Sequence, residues 1–490
     1  MPLMRWWQRA QSVAGAPGVR QLSVGREEWT QVARDVAATG GVLQALWVTG
    51  APAEGAHVYG VYLTDPGGLA VELALPAGDA GPYPGLQELF PAASRLQRAA
   101  FDLSGVRSSD PDVRPWLEHA EPYPFTRVDG EGVHEIAVGP VHAGTIEPGH
   151  FRFSVVGEKV LRLEAHLGYV HRGLEQRFRE LPILAGHRLA ARISGDSAVA
   201  FSWAYCQALE GLAGSTIPAR AAWLRAVCLE LERLANHLGD LGALGNDAGF
   251  AFGLAQFSRL KEDLLRATAA AFGQRYLFDV IVPGGVAVDV SSDSARALAD
   301  VICAVCAESA ELRTIYDEHE GVRERFTGAG RLEPQLAAQL GVLGLVGRAS
   351  GQGRDARRDL PCLPYTKLTV TPIVLRGGDV AARVAVRFDE VQQCGRLLAE
   401  LLAELPHGEC TAALEAPADG AFGIGLIEGW RGPVLVALKA GPAGTVRFCH
   451  PHDPSWQNWP ALEYAILGNI VPDFPLINKS FNLSYSGVDL

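Results

Sequence analysis

The chain has 490 residues, 48% hydrophobic and 20% charged, with a formal net charge of −12. That length exceeds one ordinary core, so two or more domains are expected, and the acidic balance leaves no excess of Lys and Arg to neutralise nucleic-acid phosphates. None of the eight cysteines precedes Cys206, which is not a disulfide framework and fits a reducing compartment.

Residues 1–23 read as an N-terminal extension, with charge and two tryptophans but no apolar signal-peptide region. Residues 24–120 read as a small α/β module. Glu27–Ala38 has helical spacing, Val42–Trp47 and Val58–Leu63 are short β-rich runs, and Asp65-Pro66-Gly67-Gly68 is a turn. A linker over 121–130 opens with Glu121-Pro122-Tyr123-Pro124, whose X-Pro pairs hold the chain extended. The second domain, 131–490, starts with two strands around Gly139-Pro140-Val141-His142, and a helix follows His171-Arg172-Gly173-Leu174-Glu175.

The middle of the chain is helical. Leu224, Val227, Cys228, Leu231, Leu234, Leu238 and Leu241 make one face of a helix opened by Pro218. Further helices are expected over 257–272, from Ser292-Asp293 through Ala310, and over 388–405; together they predict a bundle. Arg348 to Tyr365 reads as a Gly- and Arg-rich loop, and 421–448 as a pair of β-hairpins turning at Gly429-Trp430-Arg431-Gly432 and Gly441-Pro442. No apolar run reaches the ~18 residues that span a bilayer, so contact with a membrane is expected only through other proteins.

Two distant stretches carry the chemistry. Arg192-Ile193-Ser194-Gly195-Asp196-Ser197 and the end of the chain, Ser480 to Leu490, resemble the two metal-binding motifs of nickel–iron hydrogenase large subunits, Arg-x-Cys-Gly-x-Cys and Asp-Pro-Cys-x-x-Cys. The four cysteine positions here are Ser194, Ser197, Ser484 and Gly487. A soft metal cluster needs thiolates; a serine hydroxyl is a hard neutral donor and glycine has none. No nickel–iron centre is expected, no metal site is assigned, and hydrogenase activity of this chain is not expected. Gly139-Pro140-Val141-His142, Glu147-Pro148-Gly149-His150, Glu232-Arg233-Leu234-Ala235-Asn236-His237, Val282-Pro283-Gly284-Gly285, Arg348-Ala349-Ser350-Gly351 and Asn458-Trp459-Pro460 extend the resemblance over nearly the whole second domain. They resemble the large subunits of formate hydrogenlyase and hydrogenase-4, and the quinone-site subunit of respiratory complex I. Phe90-Pro91-Ala92, Phe101-Asp102-Leu103-Ser104-Gly105-Val106 and Pro111-Asp112-Val113-Arg114 resemble the small peripheral complex I subunit, with Ser104 where that family has phenylalanine.

The resemblance implies an α+β fold: a small N-terminal α/β module, then a hydrogenase-large-subunit-like domain with a central helix bundle and peripheral β-hairpins. It implies a cavity lined by His142, Arg192, Ser194, Asp196, Ser197, Ser484 and Gly487. His142 stands where complex I points a histidine at its quinone, or is a turn histidine bonded to backbone. Arg192 follows the hydrogenases; an ion pair with Asp196 filling the vacated pocket is the alternative. Glu175 matches a glutamate assigned to proton transfer, or pairs with Arg172 or Arg179. The implied function is a subunit of an NADH:quinone oxidoreductase-like or formate hydrogenlyase-like complex. This chain would bind no cofactor itself and would face an iron–sulfur cluster in a small partner subunit, beside a quinone-like acceptor. Membrane subunits of an ion-pumping complex would hold it peripherally at the cytoplasmic face; a scaffold with a closed pocket is the competing reading. No Gly-rich phosphate loop follows a strand, so nucleotide binding, including any link to NADH, is left to partners. Arg348, Arg354, Arg357 and Arg358 would bind a phosphate or pair with a neighbouring subunit. Cys303-x-x-Cys306 lies inside a helix and reads as core, as does Cys206. The apolar tail around Phe481 and Leu483 is expected to dock beside Ser194 and Ser197.

Overall fold

A computed structural model describes residues 2–490 except Ala80, residues 118–121, Ala143 and Thr145. The expected boundary near residue 120 and the first linker residue therefore lie outside the described residues. The first sheet contains β1 (Val19–Val24), β2 (Val42–Ala51), β3 (Gly55–Thr64) and β4 (Gly67–Leu75) in the order β1-β4-β3-β2, with Gln11–Ser12 on the β1 edge. Pairing is antiparallel except between β1 and β4. Helix α1 (Arg26–Ala38) follows β1, with Glu27 and Glu28 in its first turn where the helix dipole favours them. It buries Trp29, Val32, Ala33 and Val36, spaced at three and four residues. Helix α2 (Ala93–Ser104) packs on β2. Because β1 starts at Val19, the division expected at residue 24 falls at the last residue of a strand.

A second sheet holds β5 (Val133–Val138), β6 (His150–Val156) and β7 (Lys159–His166), all antiparallel. The short α3 (Leu174–Arg179) and the buried α4 (Ala198–Leu212) follow. The bundle consists of α5 (Ala219–Asp247), α6 (Ala251–Phe272), α7 (Ser292–Glu318) and α8 (Val380–Ala403); α5 packs on α6 and α8, and α7 packs on the same two. Its ends follow local chemistry. Pro218 caps α5, Gly273 ends α6 in a left-handed conformation, and the Ser291 hydroxyl accepts the Ser294 amide at the start of α7. The Asp379 carboxylate does the same for α8 through the Ala382 amide, so this helix begins eight residues before its expected start at 388. Arg383 and Arg387 broke its apolar pattern, yet both are fully buried. Arg383 donates to Ser480 Oγ, and Arg387 pairs with Asp240 at 2.8 Å.

The hairpin pair is β8 (Phe422–Glu428), β9 (Pro433–Ala440) and β10 (Val446–His452), antiparallel, with Ala14–Gly15 added in parallel to the edge of β8. These strands lie beside the bundle and are buried on both faces. One face meets α4; the other meets the N-terminal module, where Trp47, Tyr59, Ile424, Leu435 and Phe448 share a core. Trp47 stacks on Tyr59 at 4.9 Å, and Gln44 donates to the Pro433 carbonyl at 2.9 Å. Helices α9 (Ser455–Ala465) and α10 (Phe474–Phe481) then carry the chain to a last turn at Ser486–Asp489.

Candidate functional site

The segment before α4 and the end of the chain meet inside the molecule. The hydroxyls of Ser194 and Ser484 are 3.0 Å apart, and Ser194 donates to Asp196 Oδ1 at 2.9 Å. Ser197 reaches the same carboxylate oxygen at 3.4 Å, and the Gly487 amide donates to Ser484 Oγ at 2.9 Å. Ser194, Ser197, Ser484 and Gly487 are all buried. The two halves of the resembled metal frame are thus together, and their polar atoms satisfy one another.

That geometry does not fit a thiolate-held cluster. Three positions offer neutral hydroxyls already engaged in hydrogen bonds, and the fourth offers only backbone. A Cβ at Gly487 would lie 2.8 Å from Ser484 Oγ and 2.9 Å from Asp453 Oδ2, so no side chain enters without displacing these groups. Among the described residues, no group of three or more His, Cys, Asp or Glu side chains is arranged to hold a metal ion.

The neighbouring charge is supplied by Arg431, from the β8–β9 turn. It donates to both Asp196 oxygens at 2.7 and 2.5 Å and to the Asn482 carbonyl at 2.5 Å, tying the turn to both motifs. Burial acts to raise the Asp196 carboxyl, but the Arg431 guanidinium outweighs it and holds the group below the usual range. Trp430 and Asn236 both donate to the Asp196 carbonyl at 2.9 Å. Beside them Asp453 is fully buried with Oδ2 unpartnered, and burial raises its carboxyl. The Arg192–Asp196 pair, one of the two alternatives, is not formed. Arg192 points outward and holds Asp279 through two bonds of 2.7 Å, because Arg431 already occupies Asp196.

The tail docks as the sequence suggested. Phe481, Leu483, Tyr485, Val488 and Leu490 are buried. The Leu490 carbonyl accepts the Arg172 amide at 2.8 Å, Val170 donates to Asp489 Oδ2 at 3.0 Å, and Arg172 donates to the carbonyls of Arg192, Ile193 and Ser486. With its guanidinium spent on backbone, Arg172 does not pair with Glu175. The Glu175 carboxylate meets His450 instead, with Nδ1 to Oε1 at 2.6 Å, and Trp47 of the N-terminal module stacks over that imidazole at 4.7 Å. His142 lies apart from the serines: it is exposed, and its Nδ1 bonds the Gly139 carbonyl at 3.0 Å, the turn arrangement.

The open space lies on the other side of the Ser194–Ser197 loop. A cleft of about 380 Å³ starts at Gly195 and Asp196 and runs between α5, α6 and residues 275–278. Glu232 lines it. Burial pushes this carboxyl up to about 8, although the Val199 and Ala200 amides at the start of α4 donate to it and oppose the rise. Leu277 closes one wall with φ of 59°, and Asp279 has φ of 62°. A left-handed leucine costs about 1–2 kcal/mol, and the Arg192–Asp279 pair helps to hold the bend.

Glu232 and Arg431 escaped the sequence reading as site residues, though both lie in stretches it singled out, the Glu232–His237 run and the Gly429–Gly432 turn. Glu428 was likewise hidden in β8. Arg348 pairs with it and with Glu390 at 3.0 Å each, and Arg357 pairs with Asp355 at 2.7 Å and Glu230 at 3.1 Å. Arg354 donates to the Gly40 carbonyl and Arg358 pairs with Asp359. All four arginines thus bind this chain's own groups, and the buried Arg348 and Arg357 are closed to phosphate or to a neighbour. Cys206 and Cys306 are buried, whereas Cys303 on the same helix as Cys306 is exposed, so the core reading fails for that one.

The fold is shared with a chain of a respiratory membrane complex. A chain of the membrane-bound sulfane sulfur reductase, an archaeal respiratory membrane complex, superposes with a TM-score of 0.69 at 23% identity, covering 74% of this chain and 99% of that one. The family model of the respiratory-chain NADH dehydrogenase 49 Kd subunit matches residues 247–419. Formate hydrogenlyase subunit 5 of Escherichia coli (strain K12) is 31% identical over 76% of this chain and 65% of its own length. Hydrogenase-4 component G of the same organism is 30% identical over 76% of this chain and 64% of its own. The chain is a homologue of these two proteins, and it spans a little under two thirds of the length of either. Among the described residues, no helix is long and apolar enough to cross a membrane.

Proposed function

We propose that this chain is the nickel-free large subunit of a membrane-associated oxidoreductase of the complex I and hydrogenase-4 type. With an iron–sulfur small subunit it forms a cavity for a quinone-like acceptor, or for redox-coupled ion pumping, at the cytoplasmic face of the membrane. The observation that supports this reading is the Ser194–Ser484–Asp196–Arg431 network: the motif frame is kept and internally bonded where the resembled nickel–iron hydrogenase motif has cysteines. Glu175 with His450 is the proton-handling pair of this reading, and Arg192 and His142, both exposed, are the groups it would offer to the acceptor.

The scaffold reading draws on the same network, because the space around Gly487 is filled. Purification of the chain with its co-expressed genomic neighbours tests both. The oxidoreductase reading expects an iron–sulfur partner and electron transfer to a soluble quinone that falls when Glu175→Gln is introduced with assembly intact. An assembled complex that transfers electrons equally well with the variant supports the scaffold. Failure to co-purify with any iron–sulfur protein overturns both.

A further inference from the structure

We propose that the cleft beside Asp196 is a binding site for a small amphipathic carboxylate, with Lys261 as the group that receives its charge. This does not depend on the electron-transfer reading. The walls are apolar: Leu231 and Ala235 come from α5, Leu265 from α6, and Leu277 and Phe278 from the following bend. The helical spacing brings these residues together, since Leu231 and Ala235 are four apart on one helix, as are Lys261 and Leu265 on the other. At about 380 Å³ the space is within the range of small-molecule sites.

The charged groups of the lining differ in one respect. Asp196 is held by Arg431, Glu232 by two α4 amides, and Arg275 by Glu262 at 2.6 and 3.1 Å. Lys261 alone of these four makes no hydrogen bond or ion pair among the described residues. Its ammonium rests against α5 at Gly239, where a Cβ would come within 2.8 Å of Nζ; the missing side chain is what lets the amine lie there. An unpaired cation in a largely apolar cleft attracts an anion more strongly than it would in bulk water. The Asp196 carboxylate in the same lining disfavours a multiply charged one. A single carboxylate on an apolar body satisfies both conditions, and Leu277, held at a left-handed φ, turns a large apolar side chain towards that body.

Calorimetric titration of the full chain with 4-phenylbutyrate and with its neutral counterpart 4-phenylbutan-1-ol tests the assignment. The acid is expected to bind about tenfold more tightly than the alcohol, the effect of one partly desolvated ion pair, and to weaken as salt is raised. Lys261→Met should bring the acid down to the level of the alcohol, while Lys159→Met, on β7, leaves it unchanged. Equal binding of acid and alcohol to the unaltered chain overturns the proposal whether or not the variant folds. So does undiminished binding of the acid to Lys261→Met, or no binding of the acid at all.

Discussion

The two sides of the Ser194–Ser197 loop are built from neighbouring residues and have opposite characters. On one side Ser194, Ser197, Ser484 and Gly487 are packed so closely that each polar atom is spent on another, with Arg431 neutralising Asp196. On the other side Asp196 and Glu232 border a cleft whose Lys261 makes no hydrogen bond or ion pair among the described residues. With hydroxyls and a glycine at these four positions the two segments pack directly on each other, and no open pocket lies between them. The α5–α6 side keeps an open cleft of about 380 Å³, which is where the proposed carboxylate would bind.

The largest effect is expected on the closed side. Removing Phe481–Leu490 takes five buried apolar side chains out of the core, each contributing roughly 1.5–3 kcal/mol. The freed chain entropy offsets part of this. A melting temperature lower by several degrees is expected, and an unchanged value would show that the tail is not structural. Next comes a pH effect on the open side. The Glu232 carboxyl is raised to about 8 by burial, from ~4.3 in an unfolded chain. The folded state therefore holds a proton that the unfolded state has lost, and this group costs stability progressively as pH rises from about 4.3 to 8. Glu232→Gln removes that slope, so the variant should gain on the parent across this window in urea titrations; parallel pH curves would contradict it.

Gly487→Cys restores the residue type of the resembled motif but places its Cβ against Ser484 and Asp453. Overpacking of this kind costs about 1–3 kcal/mol, so chemical denaturation should show a less stable protein. A neutral or stabilising outcome would mean that the closed side is not closed. The smallest effect belongs to Arg192→Gln. Arg192 and Asp279 have side chains 48% and 39% exposed, and such a pair contributes ~0–1 kcal/mol. Stability should hardly move, while the bend around Leu277 loosens and 4-phenylbutyrate binds less tightly.

Much of the fold was legible because it follows local rules. Helix α6 ends at Gly273 as the sequence indicated, the β8–β9 turn lies at Gly429–Gly432, and the tail docks where its apolar residues required. The early start of α8 was hidden because Arg383 and Arg387 look like surface residues until Asp240 and backbone carbonyls are placed around them. Packing of the N-terminal module over Glu175 and His450 was hidden for a related reason. Trp47 reads as a strand residue, and only the tertiary fold sets it over an imidazole 403 positions later. At the site, residue types showed that Ser194, Ser197, Ser484 and Gly487 offer no thiolate. The identity of each partner could not be read, since Arg431 rather than Arg192 reaches Asp196, and His450 rather than Arg172 reaches Glu175. Ion pairs between distant segments leave no periodic trace.

The most direct test of the account is metal analysis of the full chain, purified with its partners from cells grown with nickel and iron supplied. A closed, hydroxyl-lined frame predicts nickel far below one atom per chain, with any iron following the partner subunit when the two are separated. About one nickel per chain, retained after that separation, would contradict the account at its centre.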